Sequence, residues 1–165
     1  MMDDGKVLHA SVNNVHLLRF IGDIRYPLSP SIASYLDKIF AGPAPRGFVI
    51  DLTETDSIDS TNLGLLVRIA RQMEPLSDQR ITIVSNKDEI NPVLYSMALD
   101  QVFDIVEDSC MAAGPGKTIP HEGAEKDDLK QTLIDTHQAL MELCKENREM
   151  FRDVVASLEK NHREH

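Results

Sequence analysis

The first 108 residues alternate short apolar segments with amphipathic ones. Two apolar segments meet at the Asn13-Asn14 pair and suit a hairpin, because asparagine tolerates the backbone angles of a tight turn. Later apolar segments alternate with stretches whose apolar residues recur every three or four positions, which is the pattern of helices. The predicted strands cover residues 7–12, 16–24, 47–52, 80–85 and 101–108. The predicted helices cover residues 29–42, 61–73 and 89–99.

This order of elements predicts an α/β fold. Helices that alternate with apolar strands indicate right-handed crossovers, and therefore a mostly parallel mixed sheet that begins with an antiparallel hairpin. Functional surfaces of such sheets tend to lie beyond the carboxyl ends of the strands. The polar residues 59–62, which follow the third predicted strand, fall at such an end.

The chain changes character after residue 108. Residues 109–123 hold three glycines and two prolines and are predicted to form a linker, whereas residues 124–165 hold neither residue type. The latter segment is predicted to be one long amphipathic helix, approximately 125–159, beside a first domain of residues 1–108. Its repeating stripe consists of Leu129, Leu133, Thr136, Leu140, Leu143, Asn147, Met150, Val154 and Leu158. Because two polar residues interrupt the stripe, folding back or partner capture is favoured over a stable dimer.

Composition narrows the function classes. The formal net charge of -10 disfavours nucleic-acid binding, which requires clustered Lys and Arg. The apolar runs are too short for membrane insertion, and the acidic N-terminus lacks the apolar core of a secretory signal. We therefore expect a cytoplasmic protein in which Cys110 and Cys144 are reduced thiols.

The junction between the third strand and the second helix carries the candidate chemistry. Asp59, Ser60 and Thr61 are residue types that cap a helix by accepting hydrogen bonds from its first amides. The alternative interpretation is that the Ser60 hydroxyl is displayed for a partner to read or modify. A phosphate there would lie at a helix N-terminus, which favours anions, and would add about -1.5 to -2 charges to the surface.

The stretch VIDLTETDSIDSTNLGLLVRI resembles the signature of STAS domains of the anti-sigma factor antagonist type. In that family a strand ending in D-L-S or D-L-T precedes D-S-S/T-G-L-G and a helix, and the resemblance extends over residues 5–108. It implies that Ser60 is the residue phosphorylated by a partner kinase, with Asn62 in place of the family glycine. The partner-binding residues that it implies are Asp59, Ser60, Thr61, Asn62, Leu63 and Gly64.

The resemblance implies a partner switch. The unphosphorylated form would bind an anti-sigma factor or serine kinase and free a sigma factor, and phosphorylation at Ser60 would release it. A serine phosphatase of the PP2C type would reset the switch, and the phosphorylated form could bind a second effector. Two alternatives stay open: a STAS scaffold of another signalling complex, controlling biofilm or cyclic-dinucleotide output, or a cytoplasmic STAS subunit of a lipid or anion transporter.

The sequence gives no indication of catalysis. Residues 114–118, GPGKT, hold only part of a phosphate-binding loop and lack the strand that precedes one. The six histidines are scattered without metal-ligand spacing, and no base for Ser60 is identifiable from the sequence. We therefore expect no catalytic residue, no metal, no cofactor and no enzymatic activity.

Overall fold

The computed structural model describes residues 5–108 and 116–163, and side chains as far as residue 160. The strands are β1 (Lys6–Val12), β2 (Val15–Ile24), β3 (Gly47–Ile58), β4 (Ile81–Val84), β5 (Phe103–Val106) and β6 (Lys117–Thr118). The helices are α1 (Ser29–Ala41), α2 (Ser60–Met73), α3 (Asn91–Ser96), α4 (Lys126–Met141) and α5 (Lys145–Arg163).

The strands form one mixed sheet in the order β5-β4-β3-β2-β1-β6. Strands β2 to β5 pair in parallel, while β1 runs antiparallel to both β2 and β6. Asn13 and Asn14, with φ values of 51° and 62°, make the turn between β1 and β2. The predicted α/β fold with its N-terminal hairpin is therefore confirmed.

The crossover helices lie on one face of the sheet. Each parallel connection, from β2 to β3, from β3 to β4 and from β4 to β5, moves one strand in the same direction. Right-handed crossovers then place α1, α2 and α3 on the same side. The side chains of Phe20, Ile50 and Ile83 pack beneath them as part of the main core. This arrangement brings the C-terminal end of β3 directly to the start of α2.

The second half of the predicted linker is ordered against the domain. Lys117–Thr118 forms β6 at the edge of β1, and the amide of Ile119 donates to the Val7 carbonyl at 2.8 Å. Ser31 Oγ donates to the Glu122 carbonyl and accepts from the Glu122 amide, both at 2.9 Å. These contacts lead the chain from the sheet edge to the helical layer. Residues 109–115 of the predicted linker lie outside the described part.

The C-terminal segment forms two helices, so the prediction of one long helix over residues 125–159 is wrong. Helix α4 ends at Met141, and α5 begins at Lys145 and packs against α4. We call α4, α5 and their connection the C-terminal hairpin. It folds back on the domain, with α4 packed against α2 and α1. The side chain of Asn147 joins three parts, since its Nδ2 donates to the Leu140 carbonyl at 3.0 Å and to the Met97 carbonyl at 2.8 Å.

The division of the C-terminal segment into α4 and α5 also changes which side chains are buried. Thr136, Leu140 and Asn147 of the predicted stripe are fully buried, but Met150 and Val154 are 54% and 47% exposed. Their place is taken by Phe151 and Val155, which are buried. A straight helix would keep one apolar face, whereas the reversal of direction turns a different face of α5 towards the core. The two polar residues of the stripe are thus among its most buried members.

A chain of hydrogen bonds links β1, β2 and α1. Tyr35 Oη lies 2.7 Å from His9 Nδ1, His9 Nε2 lies 2.8 Å from His16 Nδ1, and His16 Nε2 lies 3.0 Å from Asn14 Oδ1. Because Asn14 Oδ1 can only accept, His16 Nε2 donates to it, and when both imidazoles are neutral each group donates to the next. A further proton on His16 would set one N–H against another. Burial lowers the pKa of both histidines, and a charge on His9 lowers the pKa of His16 further.

We expect the free energy of unfolding to decrease as the pH is lowered from about 7 to about 5. In the unfolded chain both histidines regain pKa values near 6.5 and bind protons in this range, whereas the folded chain binds fewer because its pKa values are lower. Their stabilising contribution is therefore present above the unfolded-state pKa and is lost as the pH falls towards the folded-state values.

Urea unfolding of the wild type and of the His9→Gln/His16→Gln variant at several pH values checks this expectation. The variant should have a shallower dependence on pH, by at most about 1.4 kcal/mol per pH unit for each histidine. Equal slopes for the two proteins would contradict it.

Candidate functional site

Asp59 caps helix α2. Its backbone is extended, with φ -87° and ψ 171°, and its Oδ1 accepts a hydrogen bond from the Asn62 amide at 3.1 Å. The Asp59 amide donates to the Ile24 carbonyl at 3.1 Å, which ties the junction to the end of β2. Ser60 is consequently fixed as the first residue of α2, at the carboxyl end of β3. The capping role that the sequence indicates thus falls to the aspartate.

Asn62, at the position where the resemblance implies a glycine, is fully buried. Its Nδ2 donates to Asp59 Oδ1 at 2.9 Å, and its Oδ1 accepts from Ser29 Oγ at 2.9 Å. It lies within α2 and is not among the residues with positive φ. The asparagine is therefore explained by its side chain, which connects the α2 cap to the start of α1, and not by an unusual backbone conformation.

The hydroxyl of Ser60 is engaged by the C-terminal hairpin. Ser60 Oγ lies 2.9 Å from His137 Nε2, and His137 Nδ1 lies 2.7 Å from the Leu133 carbonyl. Because a carbonyl only accepts, Nδ1 carries the hydrogen, and in the neutral ring Nε2 accepts from Ser60. Ser60 is partly exposed, but its hydroxyl is hydrogen-bonded within the chain. This contact could not be identified from the sequence, because His137 lies 77 positions from Ser60.

Two further contacts lie on the same face of α2. An ideal Cβ built on Gly64 would lie 2.0 Å from the Thr136 carbonyl oxygen, so α4 reaches this distance only because residue 64 has no side chain. One turn later, Arg68 and Asp135 form an ion pair at 4.0 Å. Residues 60, 64 and 68 are spaced by four and share one helix face. Residues 135–137 of α4 cover that face.

The remaining candidate residues point into the protein. Thr61 and Leu63 are 4% and 1% exposed, and Asn62 and Gly64 are buried as well. Seven consecutive residues, 61–67, are buried, which is characteristic of a helix covered on more than one side. Of the six predicted partner-binding residues, only Asp59 and Ser60 are partly exposed. The apolar run LGLLV in the sequence could have indicated that α2 is covered by a second element besides the sheet.

The strand ends beside Ser60 carry charged side chains of both signs. Arg25 and Ser57 both hydrogen-bond to Asp23, and these bonds, with that of Ser57 first in effect, lower the pKa of its carboxyl group. Lys87, which follows β4, donates from Nζ to the Thr55 carbonyl at 3.0 Å. The exposed side of the junction thus presents fixed carboxylate and ammonium groups rather than an apolar patch.

The chemical capacity of the Ser60–His137 pair is limited. In serine hydrolases a carboxylate orients the histidine, whereas a backbone carbonyl does so here, and α4 lies over the hydroxyl. Among the described residues, no cluster of His, Cys, Asp or Glu side chains could hold a metal ion. None of the helices in the described ranges is long and apolar enough to cross a bilayer. The geometry suits a covered hydroxyl at a helix N-terminus better than a reaction centre.

The family model of the STAS domain matches residues 9–111, and the chain therefore belongs to the STAS family. The match includes the sheet, except for β6 and the first residues of β1, together with α1 to α3. Helices α4 and α5 lie beyond it. No significant match was found among curated proteins.

Among the solved structures similar to this chain are three anti-sigma factor antagonists, one of them putative. An anti-sigma factor antagonist from Mycobacterium paratuberculosis shares 20% identity and a TM-score of 0.53, over 64% of this chain and 87% of its own. The anti-sigma factor antagonist SpoIIAA in its unphosphorylated form is 14% identical with a TM-score of 0.55, over 62% of this chain and 89% of its own. A putative anti-sigma factor antagonist from Thermotoga maritima is 19% identical with a TM-score of 0.53, over 63% of this chain and 87% of its own. At these identities the likeness supports the fold.

We expect Asn62→Gly to lower the free energy of unfolding by about 2 to 4 kcal/mol. The substitution removes hydrogen bonds to Asp59 and Ser29, leaves the buried Ser29 hydroxyl without this acceptor, and adds a glycine to a helix. Ser29→Ala should cost about 1 to 3 kcal/mol, because it leaves the buried Asn62 oxygen without its donor.

Urea unfolding of the single and double variants measures the coupling between the two residues. The double variant should lose less than the sum of the single losses. Ser96→Ala, an exposed serine that donates to the Val93 carbonyl, serves as the control and should change stability by less than about 0.5 kcal/mol. Strictly additive losses would contradict the proposed connection.

Proposed function

We propose that this STAS protein is an anti-sigma factor antagonist that phosphorylation at Ser60 switches off. In the unphosphorylated state it binds an anti-sigma factor and frees a sigma factor. The observation that carries the proposal is the position of Ser60 as the first residue of α2, directly after the Asp59 cap. The anti-sigma factor antagonists of similar fold, at 14% to 20% identity, support the same role.

The local physics favours a phosphate at this position. The first amides of a helix point towards its N-terminus and, with the helix dipole, favour a negative group there. Asp59 holds the backbone of the junction through its bonds to Asn62, so a modification at Ser60 leaves the cap in place. A phosphate adds about -1.5 to -2 charges, which is sufficient to disfavour a contact surface that accepts a neutral hydroxyl.

An affinity pull-down with the wild type, Ser60→Ala and Ser60→Asp distinguishes this function from its alternatives. Recovery of an anti-sigma factor, with or without kinase activity, supports the proposal. Recovery of a cyclase would indicate a scaffold in cyclic-dinucleotide signalling, and recovery of a transport ATPase would indicate a transporter subunit. Either of these outcomes in place of an anti-sigma factor would refute the proposed role.

We expect a cognate serine kinase to phosphorylate Ser60, with Ser60→Ala losing nearly all incorporation. Mass spectrometry of the phosphorylated chain locates the site. Ser57→Ala is the matched control, because Ser57 lies three residues away on β3 and should not affect incorporation. Full incorporation into Ser60→Ala would contradict the assignment.

In binding measurements, Ser60→Ala should bind the anti-sigma factor constitutively, whereas Ser60→Asp should bind it more weakly. Aspartate supplies one charge and lacks the third oxygen of a phosphate, so its defect should be smaller than that of the phosphorylated protein. Equal affinities of the wild type, Ser60→Ala, Ser60→Asp and the phosphorylated protein would refute the switch.

We further propose that the protein acts by binding alone. The Ser60 hydroxyl lies under α4, and His137 lacks the carboxylate partner of hydrolytic triads. A highly purified preparation should therefore hydrolyse neither nucleotides nor esters above the uncatalysed rate. Hydrolysis that disappears on substitution of His137 or Ser60 would overturn this prediction.

A further inference from the structure

We propose that the C-terminal hairpin is an intramolecular cover of the Ser60 surface, and that it must leave α2 before a protein partner or kinase reaches Ser60. The inference rests on the proposed function and adds a regulatory step to it. The family match ends at residue 111, so this cover belongs to the part of the chain outside the STAS domain.

The contacts that define the cover fall on the functional residues themselves. His137 holds the Ser60 hydroxyl at 2.9 Å, and the Thr136 carbonyl occupies the space that a side chain at position 64 would need. A protein that reads Ser60 must approach within hydrogen-bonding distance of the same oxygen. A kinase must likewise place a phosphoryl group in line with that oxygen. Neither can share the position with the His137 imidazole, so docking of the hairpin and engagement of a partner exclude each other.

The hairpin is attached in a way that permits its release. It buries six apolar side chains, but of these only Leu140 is fully buried, and the far side of α5 exposes Met150 and Val154. Phe151 packs edge-on against His137 with ring centroids 5.0 Å apart, which holds the imidazole over Ser60. Asn147 joins α5 to α4 and to the end of α3 through its two donated hydrogen bonds. Elements whose side chains are less completely buried than those of the core open before it, so release of the hairpin need not unfold the sheet.

Variants within the hairpin can shift this equilibrium without changing any predicted partner-binding residue. Phe151→Ala removes the support of His137, and Met150→Ala is its matched control, because the neighbouring side chain is exposed. Asn147→Asp is a second opening variant of almost identical shape. Its carboxylate would face the Leu140 and Met97 carbonyls, to which it cannot donate.

Opening is measured on the full-length chain without any partner. Amide hydrogen exchange in residues 126–141 should be about tenfold faster or more in Phe151→Ala and Asn147→Asp than in Met150→Ala, while β2 and β3 stay protected. In chains that also carry Ser60→Cys, Cys110→Ser and Cys144→Ser, the thiol at position 60 is labelled with 5,5′-dithiobis(2-nitrobenzoate). Its labelling should accelerate by a similar factor. Faster exchange in α4 with unchanged labelling of position 60 would overturn the cover.

The functional arm measures the affinity for the anti-sigma factor. If only the open form binds, affinity rises in proportion to the open fraction, so both opening variants should bind about tenfold tighter or more than Met150→Ala. Bound partner should also accelerate hydrogen exchange in α4. Equal affinities despite faster exchange would refute the cover and leave the proposed function standing. Absence of anti-sigma factor binding in every variant, Ser60→Ala included, would refute the proposed function, while the thiol labelling would still decide whether the hairpin covers Ser60.

Discussion

The close approach of α4 to α2 at Gly64 determines the arrangement of the C-terminal half. A side chain at this position would meet the Thr136 carbonyl oxygen at 2.0 Å, so α4 could not occupy its place with any other residue there. The approach sets His137 over Ser60 on one side and Asp135 beside Arg68 on the other. A missing side chain on one helix thus positions three residues of another, since helix packing is governed by how closely the backbones can come.

The sheet and its crossover helices were predictable because their signals are local. The apolar strands, the Asn13-Asn14 turn and the Asp59 cap each depend on residues close together in sequence, and each forms as expected. The two-residue strand β6 was missed, because Lys117 and Thr118 carry no apolar pattern and pair with an edge that only the folded sheet provides. Strand β3 also continues to Ile58 through residues that read as a polar turn, since two irregularities in its register with β2 accommodate them.

The C-terminal hairpin and its contact with Ser60 could not be predicted in the same way. Thr136 and Asn147 looked like defects in an apolar stripe, yet both are fully buried. The Asn147 bond to Met97 spans 50 positions and the Ser60–His137 bond spans 77, so no local pattern carries them. A polar residue on an apolar stripe is ambiguous in sequence. Without a hydrogen-bond partner it weakens a helix–helix interface, but with one it can be buried and fix how the helices pack. Only the fold supplies the partner.

The two halves of the chain place opposing demands on α2. In the proposed function α2 must offer Ser60 to a partner, but as the support of α4 it buries residues 61–67 and engages the Ser60 hydroxyl. Both demands can be met only if the cover is less stable than the domain beneath it. The distribution of apolar side chains has this asymmetry, because the largest fully buried side chains lie between Leu18 and Phe103, whereas only Leu140 of the six buried apolar side chains in the hairpin is fully buried. Since local stability follows the buried apolar contacts that an element makes, the hairpin is the part of the structure expected to open first.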